Sequence, residues 1–218
     1  IHKTRRPPYN LNMEQKLKIK NNFFHYENDE VKNQIILTNT NRSCRNYLLG
    51  LKYRNNKNYK KIPHILIDKK GIITPFIDTS KSSQFFGDKT IDQQSIFIVL
   101  ENLGWLQKNP VIDRYTNWIG DIYKGKPFEK KWRGNFFWDV YTNDQIKSCA
   151  EVIDYLSLKH NIEKDFIGHN TKIEGVENFK GIVTRSNYSV YWNDVTPAFD
   201  FEKLKLHLNE EQEENINH

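Results

Sequence analysis

Cysteine is scarce in this sequence: Cys44 and Cys149 are the only two among 218 residues. They lie far apart and without metal-type spacing. Neither a disulfide framework nor a cysteine-held metal is expected, and both read as reduced side chains that fill a core. Long apolar runs are missing as well. No stretch approaches the roughly 18 residues needed to cross a bilayer, so the expectation is a soluble globular chain with no membrane partner. No internal repeat is evident, which argues against solenoids and propellers. The amino terminus lacks the pattern of a secretory signal. No basic–aromatic signature of a known nucleic-acid module occurs, so nucleic acid is not the expected partner.

What is present is a basic, aromatic-rich chain. The net charge is +6, the isoelectric point is near 9.1, and aromatics make up 13% of residues. That balance favours an anionic partner such as a cell-wall polymer, nucleic acid or a membrane surface, without choosing among them. "IHKTRRPPYN" reads as an extended arm, and residues 11–32 as a polar stretch with a short helix and an aromatic knot at Phe23, Phe24 and Tyr26. "NQIILTNT" (33–40) has the compact apolar character of a buried strand. "RSCRNYLLGLKYR" (42–54) carries Cys44, Tyr47, Leu48 and Leu51 at helical spacing. "HILIDKKGIITPFID" (64–78) predicts a hairpin turning on Gly71, and "QSIFIVLEN" (94–102) another buried strand. Residues 103–141 hold four of the five tryptophans among glycines, prolines and lysines, and read as an insertion with short strands. In "TNDQIKSCAEVIDYLSLKHN", Thr142 and Gln145 form a capping box, and Ile146, Cys149, Ala150, Ile153 and Leu156 form one apolar helix face. A further strand is expected at 165–168, and the acidic "NEEQEENINH" (209–218) as a frayed tail. The predicted class is α/β, a mixed central β-sheet flanked by helices. The expected organisation is an arm at 1–32, a domain at 33–208 and the tail at 209–218.

"FIGHN" (166–170) ends its apolar run on Gly168 and then presents His169, at the strand end where ligands collect in such sheets. His169 is either a polar terminus or one member of a constellation.

The order of motifs resembles the type-2 amidase fold, shared by zinc-dependent N-acetylmuramoyl-L-alanine amidases, phage amidase lysins and peptidoglycan recognition proteins. "IILTNT", "IPHILIDKKGIITPFID", "QSIFIVLEN", "FIGHN" and "NDVTPAFDF" carry the resemblance, over roughly residues 33–204. It implies a zinc ion held by two histidines and a carboxylate or thiolate, with a nearby residue assisting proton transfer. Carried over, His169 matches the second histidine ligand and Asp194 the carboxylate. The first ligand position falls on Thr38 and the next on Asn39, where the family has histidines. The acidic position falls on Val99, with Glu101 two residues on and on the same strand face. The family's lysine falls on Trp192. His64, at the start of the hairpin, is the residue that would complete a rearranged site.

Two readings follow from this resemblance. In one, the domain has lost zinc-dependent cleavage, needs no cofactor, and binds peptidoglycan or muropeptide. Trp118, Trp132 and Trp138 then stack on sugars, and Arg133, Lys130 and Lys131 answer anionic groups. A variant makes it a structural component of a phage tail or baseplate, with neighbouring virion proteins as partners. In the other, it is an active divergent zinc amidase using His169, Asp194 and His64 or Asn39. Location follows the reading, in a phage virion or at the host cell wall.

Overall fold

The computed structural model describes residues 8–216. The elements in chain order are α1 (Pro8–Lys16), β1 (Gln34–Asn39), α2 (Cys44–Tyr53), β2 (Ile65–Ile67), β3 (Ile73–Pro75), α3 (Lys89–Gln94) and β4 (Ser95–Leu100). There follow β5 (Trp105–Asn109), β6 (Arg114–Thr116), β7 (Ile122–Tyr123), β8 (Phe128–Trp132), β9 (Asn135–Trp138), α4 (Asn143–His160), β10 (Gly181–Thr184) and α5 (Phe201–Ile216). The Arg/Pro arm at residues 1–7 lies outside the described residues, and α1 begins directly after it.

The central sheet has the order β10-β1-β4-β2-β3; β1 pairs parallel with both β4 and β10, and only β3 runs antiparallel. Parallel strands are covered on both faces and therefore read as continuous apolar runs rather than alternating ones. Every residue of β1 and β4 is buried. Successive side chains still take opposite faces. Ile35, Leu37, Ile65, Ile67, Ile96, Ile98 and Leu100 face α4, where Ile146, Cys149, Ala150, Ile153 and Leu156 meet them. Leu66 and Val99 face the other way, toward Leu51 of α2, and Ile36 and Phe97 join Val183 and Val176. Each fully buried Ile or Leu in these rows contributes roughly 1.5–3 kcal/mol.

The β2–β3 hairpin turns as the sequence implies. Asp68 Oδ1 accepts from Lys70 N (2.8 Å) and Ile72 N (2.9 Å), and Gly71 sits at φ 77°. A Cβ on Gly71 would lie 2.7 Å from the Asp144 carbonyl.

Three expectations are corrected. Residues 165–168 form no strand; Phe166 makes a single parallel bridge to Ile182, and the sheet strand is β10. Ile182 and Val183 are each 1% exposed, whereas Phe166 and Ile167 are only half-buried. Gly181 permits the arrangement: at φ 133° its missing Cβ would come within 2.2 Å of the Asp165 carbonyl, which accepts from Ile182 N at 2.8 Å. The capping box at α4 is half made. Thr142 accepts from Gln145 N at 3.1 Å, but the Gln145 amide donates to Ile67 O (3.1 Å) and Glu101 O (2.9 Å), tying α4 to the sheet instead. The acidic stretch from 209 continues α5 to Ile216 rather than leaving it.

The aromatic stretch forms a second, all-antiparallel sheet of order β7-β6-β5-β9-β8. Its base is tied to the hairpin by Asp139, which is 1% exposed, accepts from Leu103 N at 2.7 Å and pairs with Lys69 Nζ at 2.8 Å. Burial raises the Asp139 carboxyl, against the lowering effect of Lys69. The sheet stands beside α2 and the carboxyl end of β1, where it forms one wall of a groove.

Candidate functional site

The groove has a volume of about 600 Å³ and opens at the carboxyl ends of the parallel strands, where Asn39, Arg185 and Asp194 line its floor. A separate cavity of about 510 Å³ lies by Tyr26 and Gln93. Its carboxylates are already engaged: Asp92 takes the Phe86 and Gly87 amides, and Glu30 takes Gln93. The chemistry concentrates in the groove.

Asp194 is 1% exposed. Arg185 Nε donates to its Oδ1 at 3.0 Å and its Oδ2 at 2.8 Å, while Nη2 lies 2.7 Å from Oδ2. The Asn39 amide adds a bond to Oδ2 at 3.1 Å. The guanidinium stacks on Trp192 with its carbon 4.1 Å from the ring centroid. Arg185 therefore holds the carboxylate on one edge and an indole on one face. Beside it, Thr196 N donates to the Tyr141 hydroxyl at 3.0 Å, which donates to Asn39 Oδ1 at 2.8 Å. This chain fixes the Asn39 side chain, leaving Nδ2 buried with no acceptor among the described residues. Burial pushes the Tyr141 phenol up, so it stays a neutral donor at ordinary pH.

The sequence-predicted residues divide. Asp194 and Asn39 are on the floor. Thr38, which precedes Asn39 on β1, is fully buried, and its hydroxyl has no partner among the described residues. His169 is exposed; its Nδ1 accepts from Thr171 N at 3.2 Å, and the Asp194 carboxylate is held by Arg185 and Asn39 instead. His64 is fully buried, accepting from Phe97 N at Nδ1 (3.0 Å) and so donating from Nε2 to Lys81 O (3.0 Å). Burial drives its pKa down to about 3, so it is neutral. Glu101 accepts from Cys44 N (2.8 Å) and Lys69 N (3.0 Å), joining the start of α2 to the hairpin. Val99 is core.

Among the tryptophans, Trp118 lines the groove, 51% exposed, with Nε1 donating to Asn41 O at 2.8 Å. Trp138 is fully buried and stacks edge-on with Trp132 at 5.5 Å. Arg133 clamps backbone, donating to the carbonyls of Ser189 (3.0 Å), Ser186 (3.1 Å) and Asn170 (3.3 Å). Burial lowers its pKa, with Asp194 opposing. Lys130 and Lys131 are exposed on β8. Arg185, Trp105 and Trp192 line the groove as well, and Arg185 is the residue that sequence reasoning missed. Its signal is the run "GIVT", β-branched behind a glycine, which ends on Arg185 as a sheet strand ends on a site residue.

The family model described as Amidase_2, N-acetylmuramoyl-L-alanine amidase, matches residues 15–181. The chain belongs to this family. The matched stretch reaches only the first residue of β10, so Arg185 and Asp194 lie beyond it. Solved structures with the same fold include the amidase AmiD from E. coli in complex with anhydro-N-acetylmuramic acid-L-Ala-D-gamma-Glu-L-Lys, at 14% identity and TM-score 0.51. That alignment covers 83% of this chain but 59% of AmiD, so this chain spans under two thirds of AmiD's length. The endolysin LysCS from Clostridium intestinale URNW is 14% identical at TM-score 0.51, covering 88% of this chain and 94% of its own. The hydrolase AmiA from Staphylococcus aureus is 12% identical at TM-score 0.51, covering 100% and 96%. None of the curated protein sequences matches this chain.

Zinc is the metal this fold family implies, and the residues here do not fit it. The carboxylate that would bind it already carries a guanidinium on both oxygens, and arginine stays charged at any working pH. A divalent cation at Asp194 would sit against that fixed charge. The Thr38 hydroxyl is a poor zinc donor, and the His64 ring is buried and engaged on both nitrogens. No three His, Cys, Asp or Glu side chains converge among the described residues.

Proposed function

We propose that this chain binds peptidoglycan fragments in the groove between α2 and the second sheet, and has lost zinc-dependent cleavage. The reading rests on one observation, the commitment of Asp194 to Arg185. An ion pair in that place leaves the Lewis acid of the family's reaction with no carboxylate to hold it. The groove remains. It is open, of a size suited to a small glycopeptide, and walled by Trp105, Trp118 and Trp192, whose faces suit sugar rings and the apolar parts of a stem peptide. The muramic acid peptide bound in AmiD supplies the ligand class.

The test uses those tryptophans. Titrating the protein with a muramyl tripeptide should change tryptophan emission saturably, and Trp118→Ala should weaken the response. Incubation with zinc and purified peptidoglycan should liberate no stem peptide. Stem-peptide release that vanishes in His169→Ala would overturn the loss of cleavage, and absence of any saturable response would overturn the binding role.

A further inference from the structure

The groove carries four cationic side chains, Arg42, Arg54, Lys61 and Arg185, against the single carboxylate of Asp194. That carboxylate is already paired with Arg185. Arg42, Arg54 and Lys61 form no ion pair among the described residues. Each of the three guanidiniums is braced on an aromatic face. Arg185 lies 4.1 Å from Trp192, Arg54 4.8 Å from Tyr59, and Arg42 5.2 Å from Trp118. Arg54 Nη1 also donates to the Tyr59 hydroxyl at 3.0 Å. These contacts orient the charges without neutralising them.

Donors are left over in the groove. Among the described residues, Arg42 Nε and Asn39 Nδ2 are buried N–H groups with no acceptor, and Arg185 Nη1 has none either. Arg42 and Arg54 are near enough to repel; burial lowers the Arg42 pKa and Arg54 lowers it further, with only weaker opposing effects from Tyr59, Tyr47 and Asp121. Like charges held together on rigid supports cost stability, and an anion between them removes the cost. Planar guanidinium forks match carboxylate and phosphate oxygens in geometry as well as charge.

We propose that Arg42, Arg54 and Arg185 form an oxyanion cradle, with Arg42 and Arg54 supplying the uncompensated charge and Arg185 offering Nη1 beside its pair with Asp194, and that the ligand presents at least two anionic oxygens there. The assignment deepens the binding role proposed above and depends on it only for the location of the ligand. Two sources supply this chemistry, the carboxylates of a stem peptide and the phosphodiesters of an anionic wall polymer. The cradle holds either by charge and by the fork.

Calorimetry on the full chain separates them, using a muramyl tripeptide with free carboxylates, the same peptide with carboxamides, and a short poly(glycerol phosphate). Arg42→Gln and Arg54→Gln change partly exposed side chains outside the Asp194 pair. Arg185→Lys keeps the charge and removes the fork. Each substitution should weaken the preferred anionic probe roughly tenfold or more, and raising salt should weaken it in the wild type. Tighter binding of the carboxylate form than of the carboxamide, lost in Arg42→Gln/Arg54→Gln, supports the cradle with a peptide ligand. Binding of poly(glycerol phosphate) alone, lost in the same double variant, supports the cradle and overturns the muropeptide role. Equal binding of carboxylate and carboxamide forms, unchanged in the double variant, overturns the cradle and leaves the groove's binding role standing. No heat with any of the three probes overturns both.

Discussion

Arg185 and Asp194 stand nine residues apart in sequence and form one buried ion pair, with side chains 13% and 1% exposed and a closest approach of 2.7 Å. Removing one partner of such a pair leaves a charge with no compensation, at a cost of about 3–5 kcal/mol. Asp194→Asn should therefore lower unfolding stability by that order in a urea titration. Replacing both, as Arg185→Met/Asp194→Leu, should cost clearly less than the sum of the two single changes. Additive losses would mean that the two groups do not act as a unit.

The helix start makes a different prediction. Thr142→Ala removes the cap on Gln145 N and the bond from Thr142 Oγ1 to Lys69 O, and should cost about 0.5–2 kcal/mol. Gln145→Glu keeps the residue type a capping box prefers. Here it removes both donors to Ile67 O and Glu101 O and buries a carboxylate against two carbonyls, so it should cost more than Thr142→Ala. The reverse order in chemical denaturation would restore the ordinary capping box.

Gly181→Ala should destabilise the sheet edge by about 2–3 kcal/mol or more, because the new methyl meets the Asp165 carbonyl and the backbone lies at φ 133°. Gly134→Ala is the control. Its φ is 83° but nothing lies within 4 Å of the added Cβ, so the loss there should be the smaller one. Comparable midpoints for the two variants would remove the steric account of β10.

Acid should weaken the protein through His64. Its pKa falls from the ordinary 6.5 to about 3 in the folded chain, chiefly by burial, with Lys32 adding to the effect. Between those values the unfolded chain binds a proton that the folded one refuses. Stability is thus fully present above pH 6.5 and declines as pH falls toward 3, by an amount on the order of a few kcal/mol. His160, lowered to about 4 mainly by burial, contributes over the upper part of the same window. His64→Gln should flatten the profile of urea midpoint against pH in this range. An unchanged slope would assign it to other groups.

The legible parts of the fold were those in which burial on both faces wrote itself as an apolar run, namely β1 and β4, and α4 through its single apolar face. The hairpin was legible because Asp68 and Gly71 are the turn. β10 was not, because three residues behind a glycine and beside a polar loop carry little signal, while the neighbouring "FIGH" resembles a strand end more closely. The residue that follows β10 is Arg185, whereas His169 follows the unpaired 166–168 stretch. Asp194 was singled out by its motif, and in the structure it lines the groove. Arg185 carries no spacing signature, since its role comes from Trp192 and Asp194 folding back onto the end of β10. Arg133 and Trp138 looked like ligand contacts because composition cannot distinguish an aromatic wall from an aromatic core.

Arg185 is the side chain paired with Asp194, and Thr38, one residue before Asn39 on β1, is buried with a hydroxyl that has no partner among the described residues. The wild-type chain should compete poorly with a chromophoric chelator for zinc, because the carboxylate is charge-paired and one guanidinium repels the ion. Thr38→His/Arg185→His removes the fixed charge and supplies, with the freed carboxylate, the two imidazoles and one carboxylate of an ordinary zinc set. The double variant should gain zinc affinity by at least about tenfold, read as metal withdrawn from the chelator, with a rise in thermal midpoint on adding zinc. Arg185→His alone should gain less, since two protein ligands hold the ion more weakly than three. Tight stoichiometric zinc in the wild type, unaffected by Asp194→Asn, would place the metal elsewhere and end the argument that the ion pair displaced it.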